Sequence, residues 1–470
     1  MRTPQGTDRG LRNAAGCLFA ALVAGSLSSC AALLSQGAAV RPVQTTDGLE
    51  AALEKVEAIN IGESRLLYLY ERGLVLHHYG DYARSNEALE EAHALFEDLY
   101  TRSLTREAAA LVTGDYLLKY RGERFEAALV HYYAVMNYLE LGRPQDAAIE
   151  CRRLNHELQR FHDEPGSFYT DDPFLQYITG LVYELAGERV DADVSLRAAL
   201  DSYRGLGPEY GVEVPSCLLC DLAENASALG RPAEAERYRH EGGCAPRASK
   251  SGPKGTLKLF LECGQLPYKA ENTLEVPIFK QEISENLDQE RFARELARRR
   301  YEPVAPDRNL DYVLKIAMPA LVASPSPVEY ARIRSVARGD STLAETGTTL
   351  AANLGNLSIM SFEERKDEIL VRAAARSLAK YLAQREAKRR GGRASGLLTN
   401  LLGVLTESAD TRCWSGLPDR ILMAHMELPP GSYRIEVELF GSSRERVGSV
   451  TLPDVEIRGG RSTVLSRRVD

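Results

Sequence analysis

The sequence lacks the motifs that would mark an enzyme. Its eight histidines include no H-E-x-x-H pair, and Ser377-Leu378-Ala379-Lys380 matches S-x-x-K without the S-D-N and K-T-G elements that accompany that motif in enzymes. No nucleophile with its base, no metal cluster and no phosphate-binding loop is indicated. We therefore expect a protein that is not an enzyme and holds neither a metal nor a non-covalent cofactor. An enzyme of unknown type is the alternative.

The sequence also has no excess of basic residues, and its cysteines are few. The chain has 58 Lys and Arg against 66 Asp and Glu, with a formal net charge of -8. It therefore lacks the basic surface expected of a nucleic-acid-binding protein. Eight cysteines in 470 residues do not indicate a disulfide scaffold, although an exported protein can form such bonds. A hydrophobic content of 44% supplies enough material for two or three domains.

The N-terminus predicts export and a lipid anchor. Arginines precede the apolar run "AAGCLFAALVAG", which has signal-peptide length, and Leu27-Ser28-Ser29-Cys30 resembles the lipobox of bacterial lipoproteins. This resemblance implies a signal peptide at 1–29, a covalent lipid on Cys30 and a tether at 30–63. The mature chain would carry a formal charge of -10. An uncleaved transmembrane anchor is the alternative, although serines dilute the apolar run. Ala31, by resemblance to bacterial sorting signals, favours the outer membrane, facing the periplasm.

Residues 64–241 show helical periodicity with a recurring phrase. The cleanest copy, "YITGLVYELAGERVDADVSLRAAL", has small residues at the spacing of the tetratricopeptide repeat, a pair of packed helices. Small residues let two helices approach, and a glycine permits the tight turn between them. Turn glycines at 80, 142, 187 and 230 are 62, 45 and 43 residues apart rather than about 34, so the array is divergent, with an extra helix near 104–119.

The pattern changes after a Gly-, Ser-, Pro- and Lys-rich linker at 242–255. In the β-rich region 256–470, "GTLKLFLECG", "LDYVLKIAMPAL" and "SYRIEVELFG" alternate as half-buried strands do. One long helix is predicted near 362–390, and the apolar segment 396–408 is predicted to be buried. The fold class is therefore α+β multidomain: an all-α tetratricopeptide-like repeat domain followed by a β-rich α+β domain with one long helix.

Aligning the repeats on their turn glycines singles out a tyrosine strip. Tyr70, Tyr132 and Tyr177 each lie ten residues before a turn glycine, at a position that commonly faces the groove in tetratricopeptide proteins. Such a strip would give rigid contact area for a partner. The alternative is that tyrosine is simply common, with 22 in the chain.

Cys217 and Cys220 have the C-x-x-C spacing of metal and redox pairs, and the same count from the last turn glycine reaches Cys220. No second closely spaced ligand pair follows them. The alternative interpretation is two small apolar side chains within a helix.

The lipobox, the repeats with "HYYAVMNYLELG" and the phrase "ADTRCWSGLPDRILMAHMELPPGSY" together resemble a family of bacterial envelope lipoproteins with divergent tetratricopeptide repeats. Genes of that family often lie near those of lipoprotein activators of penicillin-binding proteins, which implies an envelope role without an activity. We interpret Asp410 and Arg412 as an ion pair and Trp414 as a buried residue locking the last sheet onto the long helix; a recognition site is the alternative. The motif also includes Pro429, Pro430 and Gly431, a turn before a strand.

These features predict a lipid-anchored periplasmic adaptor that binds an envelope protein or peptide in its helical groove, with no nucleic-acid partner. In the competing hypothesis, the protein is an assembly factor or regulator of peptidoglycan or outer-membrane machinery. Its β-rich domain would then do the binding.

Overall fold

The computed structural model describes residues 48–59, 61–106, 119–163, 169–244, 254–283, 288–298, 310–337, 341–389 and 409–469. The chain divides into two compact units, residues 1–41 and 42–470, and every described residue belongs to the second. Several predictions fall wholly or mainly on other residues: the signal peptide with Cys30, most of the tether at 30–63, most of the helix near 104–119, most of the linker at 242–255, and the buried segment at 396–408.

Consecutive helix pairs build the first part of the described chain, as the repeat pattern predicts. Pro144, Pro173 and Pro232 lie in the first turns of three of these helices. Proline suits this position because a backbone N–H in the first turn has no partner within the helix. The helices are α1 (Leu49–Glu57), α2 (Ile61–His78), α3 (Tyr82–Arg106), α4 (Arg124–Glu140), α5 (Pro144–Asp163), α6 (Pro173–Ala186), α7 (Arg189–Gly205), α8 (Gly207–Tyr210), α9 (Ser216–Ala228) and α10 (Pro232–Gly242).

Glycines act at two kinds of position in these pairs. The turn glycine Gly187 has a φ of 85°, a left-handed conformation that a side chain would strain. Gly180 lies where α6 crosses α7, and a Cβ there would approach Leu196 Cδ2 to 2.6 Å. The predicted use of small residues to bring paired helices together is therefore confirmed, and this part of the chain has a tetratricopeptide-like helical fold.

The second part contains a β-sandwich. Its inner sheet has the strand order β10-β1-β7-β6 and its outer sheet the order β5-β4-β8-β9; β2 and β3 form a separate antiparallel ribbon. Strand β1 pairs in parallel with β10 and antiparallel with β7. The strands are β1 (Gly255–Cys263), β2 (Tyr268–Phe279), β3 (Leu310–Val322), β4 (Tyr330–Val336), β5 (Thr342–Gly347), β6 (Thr349–Asn353), β7 (Arg420–Leu428), β8 (Gly431–Phe440), β9 (Arg446–Ile457) and β10 (Ser462–Val469).

The inner sheet is covered on both faces. Leu259 and Leu261 share a core with the outer sheet, whereas Phe260 belongs to the core of the helix pairs. The prediction that β1 is half-buried is therefore wrong, because even Lys258 and Glu262, its polar positions, lie beneath the helices. Helix pairs, inner sheet and outer sheet thus form three successive layers.

The predicted long helix is α12 (Leu354–Arg389), which begins eight residues before the predicted start. Together with α11 (Gln289–Arg298), it packs on one face of the β2-β3 ribbon. Ala374, Leu378 and Tyr381 are buried in this contact. Ser377 of the S-x-x-K match is a buried residue within α12. None of the helices described by the structure has both the length and the hydropathy needed to cross a membrane.

Candidate functional site

The three predicted groove tyrosines all face the chain's own β-sandwich. Tyr70 on α2, Tyr132 on α4 and Tyr177 on α6 are each 0% exposed. The three side chains point to the same side of the helix pairs, as the alignment on the turn glycines predicts, but they contact other parts of the same chain. The prediction that these tyrosines contact another protein is therefore wrong, because the inner sheet and the segment before β7 cover this face of the helices.

A buried carboxylate organises the middle of this interface. Glu262 of β1 accepts hydrogen bonds from the hydroxyls of Tyr132 at 3.2 Å, Tyr133 at 3.1 Å and Ser466 at 2.7 Å. Burial raises the pKa of both tyrosines well above the ordinary value, and the nearby Glu262 charge raises it further. The hydroxyls therefore remain protonated donors, which a buried carboxylate requires.

An ion pair lies beside it. Lys258 of β1 pairs with Asp221 of α9, and the Tyr177 hydroxyl donates to the same Asp221 oxygen at 2.7 Å. Burial alone would lower the pKa of Lys258, but Asp221 and Glu184 more than offset this and raise it. The lysine is therefore a buried cation joining the sheet to two helices, and it is not a neutral amine available for nucleophilic chemistry.

Trp414 closes the end of the groove nearest α2. Its indole is fully buried and stacks on Tyr70, and its backbone N–H donates to Glu126 Oε1 at 2.9 Å. Two residues later the Gly416 N–H donates to Glu71 at 3.2 Å, and a Cβ there would lie 2.5 Å from Glu71 Oε2. Burial raises the pKa of Glu71 to about 8, so this side chain is neutral at pH 7.

The other residues of the C-terminal motif make contacts within the chain. Arg412 donates to both oxygens of Asp410 at 2.8 Å, which confirms the predicted pair. The indole of Trp414 packs on Tyr70 of α2 and Tyr133 of α4, contacts that the sequence did not predict. Pro429 supplies a backbone oxygen to the Tyr433 hydroxyl at 2.8 Å, and Gly431 begins β8 after Pro430, as the turn pattern predicts.

The predicted cysteine pair does not form. Cys220 makes a disulfide with Cys244, whereas Cys217 is a buried thiol facing Met423 of the inner sheet. Burial raises the pKa of Cys217 to about 11, which disfavours the thiolate that metal binding or exchange needs. Residues three apart in α9 thus have separate roles: Cys217 faces the sheet and Cys220 fastens the end of the helical part.

An exposed apolar surface lies where the β2-β3 ribbon meets α12. We call it the ribbon patch: Tyr268, Val322 and Ile359, exposed by 37–40%. Tyr268 and Val322 are cross-strand partners in the ribbon, and Ile359 of α12 lines an adjoining cavity of about 360 Å³. The cavity is walled mainly by apolar residues: Pro267, Met318, Pro319, Ala320, Leu321 and Phe362. This shape and composition suit an apolar side chain from another molecule.

Sequence reasoning missed several residues. Lys258 and Glu262 alternate with apolar neighbours, and that alternation predicts solvent exposure rather than burial beneath helices. A histidine cluster formed by His93, His131 and Glu157 was also missed, since its members come from α3, α4 and α5 without a recognisable spacing. Both groups of residues come together only through contacts between distant parts of the sequence, so no local pattern could have revealed them.

Comparisons with known proteins leave the family open. Neither a protein-family model nor a curated protein matches this chain. Among solved structures, the chain is similar to a MamA protein at 13% identity, covering 41% of this chain and 80% of that one, with a TM-score of 0.27. A second structure, MamA MSR-1 C2, has 13% identity, coverage of 42% and 85%, and a TM-score of 0.26. At such scores the likeness carries no functional argument.

Proposed function

We propose that this chain is a non-catalytic scaffold of the bacterial cell envelope, tethered by lipid at Cys30, whose β-rich part binds another envelope protein through the ribbon patch. The observation that carries the proposal is the contrast between two apolar surfaces. The groove tyrosines are fully buried by the chain itself, whereas Tyr268 and Ile359 each remain 40% exposed. The helix pairs then support the sandwich, and the β-rich part presents the ribbon patch to a partner.

Two further features support the envelope location. The lipobox resemblance implies export, and the Cys220–Cys244 disulfide suits an oxidising compartment such as the periplasm. The occupant of the patch that we propose is a short apolar segment of a partner protein, because the cavity beside Ile359 is walled mainly by apolar side chains. An apolar segment entering it would bury surface worth about 1.5–3 kcal/mol for each Leu- or Ile-sized side chain.

In-cell photo-crosslinking tests this proposal. A photoreactive phenylalanine analogue is placed at Tyr268 or Ile359, with Val190 and Val194 of α7 as matched exposed controls at 66% and 63% exposure. We expect both patch positions to capture the same protein, which the controls do not capture. The captured protein, once purified, should bind the full chain about tenfold more weakly after Ile359→Asp and equally well after Val194→Asp.

Other results would contradict the proposal. Capture from the α7 positions alone would place the partner surface on the helix pairs. A cross-link between two copies of this chain would make the ribbon patch a self-association surface, and capture of nothing from either patch position would leave it without a partner.

A further inference from the structure

Three side chains from three consecutive helices converge where these helices pack together. His93 lies on α3, His131 on α4 and Glu157 on α5, and one ligand atom from each lies within 4.8 Å of the others. His131 Nε2 is 2.9 Å from Glu157 Oε2, and His93 Nδ1 is 3.5 Å from the same oxygen. Ligand atoms around a tetrahedral zinc ion, with bonds of about 2.0–2.1 Å, are about 3.3 Å apart. The two distances to Glu157 are already close to this spacing, and the two histidine nitrogens lie within 4.8 Å of each other.

The surroundings of these three residues match those of a metal site in a second respect. His131 Nδ1, which points away from Glu157, contacts Glu150 Oε1 at 2.5 Å. Metal-binding histidines commonly donate their other ring N–H to a carboxylate, which fixes the ring and makes it a better ligand. Glu150 therefore occupies the place of an orienting partner.

Glu157 supplies an independent observation. It is 2% exposed, and its Oε1 atom has no hydrogen-bond partner among the described residues. Arg160 Nη2 lies 3.8 Å away, beyond hydrogen-bond distance. A buried carboxylate oxygen without a hydrogen bond is costly, and an ion bound by both Glu157 oxygens, Oε2 and Oε1, would satisfy it.

We propose that His93, His131 and Glu157 bind a first-row divalent metal ion, with Zn²⁺ as the best match, and that Glu150 orients His131. Two imidazoles and one carboxylate are a ligand set that zinc accepts, with a fourth position left for water or for a group from a partner. The His93 side chain is 24% exposed, which gives the ion a route from solvent. The bound ion would join α3, α4 and α5.

A proton clamp is the rival arrangement. Burial alone would lower the pKa of His131, but hydrogen bonds to Glu150 and Glu157 raise it to about 9. A doubly protonated ring would then satisfy both carboxylates without a metal. The two arrangements differ in whether His93 is needed, because the clamp uses only His131.

The test is metal binding by the full chain purified in detergent. After chelator treatment, we expect equilibration with Zn²⁺ to give one tightly bound ion per chain, and Co²⁺ to give the visible absorption of a tetrahedral site. His93→Gln alters a partly exposed side chain, so the fold is kept. It should weaken Zn²⁺ binding by at least about 100-fold. Loss of a residue that only orients a ligand already weakens metal binding by up to about 100-fold, and loss of a ligand should cost at least as much. Glu150→Gln should weaken binding by about 10–100-fold.

His162→Gln, which changes an exposed histidine of the same helix α5, is the matched control and should leave Zn²⁺ affinity unchanged. Two results would overturn the proposal. One is a full chain that retains no zinc after dialysis. The other is a His93→Gln variant that binds Zn²⁺ as tightly as the original chain, which would make any bound zinc an adventitious ion only.

Discussion

The ring of Tyr70 stacks on the indole of Trp414, with centroids 4.5 Å apart and 19° between the ring planes. One residue belongs to the second helix and the other to the segment that leads into β7. This contact therefore couples the helix pairs to the segment before β7, and Trp414 is the only tryptophan in the sequence.

Trp414→Ala should destabilise the protein by about 3–5 kcal/mol, because it removes a fully buried aromatic side chain and leaves a cavity against Tyr70. The measurement is denaturant unfolding followed by circular dichroism, since the substitution removes the tryptophan fluorescence. Tyr268→Ala is the control: it removes an exposed aromatic residue of the ribbon patch and should change stability by no more than about 0.5 kcal/mol. Equal losses of stability from the two variants would show that the Tyr70–Trp414 contact stabilises the fold no more than an exposed tyrosine does.

Glu71 should make stability depend on pH. Its pKa is raised from an ordinary value near 4.5 to about 8, chiefly by burial, with the Glu126 charge adding to the effect. The folded state therefore holds a proton that the unfolded state has released, and the free energy of unfolding falls as pH rises through this window. Glu71→Gln removes this loss, so its stability relative to the original chain should grow between pH 5 and pH 8, by up to about 1.4 kcal/mol per pH unit.

Chemical unfolding of both proteins across that pH range is the measurement, with the exposed Glu87→Gln as a control for the change of charge. A stability difference between Glu71→Gln and the original chain that does not vary with pH would contradict the assignment of a neutral Glu71.

The Lys258–Asp221 pair should be costly to break and inexpensive to replace. Lys258→Met leaves the Asp221 charge buried without its cation, which should destabilise the fold by about 3–5 kcal/mol. Adding Asp221→Leu removes that charge as well, so the double variant should be more stable than Lys258→Met alone. A double-mutant cycle by thermal unfolding measures this coupling. Additive losses from the two substitutions would mean that the two side chains do not interact across the interface.

The disulfide should stabilise the end of the helical part. Cys220 and Cys244 are 24 residues apart, and closing a loop of that length is worth about 3 kcal/mol in the chain-entropy description. Cys220→Ser and Cys244→Ser should each lower the unfolding midpoint, and the pair of substitutions should cost little more than either one. Alkylation without reductant should leave both cysteines unmodified in denatured protein, while Cys151, a buried free thiol, reacts. Labelling of Cys220 under those conditions would contradict the bond.

Sequence patterns predicted the helix pairs well because their signals are local. Gly180 lies within α6 and Gly187 at its end, next to the helix α7 that they bring close, so composition and spacing reveal them. The orientation of the tyrosine strip also followed from this local register. What covers the strip did not, since the contact between Tyr132 and Ser466 spans 334 residues.

The inner sheet shows what an alternating pattern of apolar and polar residues cannot predict. Alternation correctly located β1, β3 and β8, but it assigned Lys258 and Glu262 to solvent. Both side chains lie buried because Asp221 and the tyrosine hydroxyls supply their partners. A strand pattern identifies two faces and does not reveal whether water or a helix covers the polar one.

Hydroxyl-radical footprinting of the full chain tests the central claim most directly, because it measures the solvent exposure of each tyrosine by mass spectrometry. The sandwich covers Tyr70, Tyr132 and Tyr177, so these should stay largely unmodified in the folded protein, whereas Tyr268 and Tyr312, exposed by 40% and 39%, should be oxidised. All five should react once the protein is unfolded. Oxidation of the three groove tyrosines at the rate of Tyr268 and Tyr312 in folded protein would show an open groove and contradict the claim that the chain's own β-sandwich covers it.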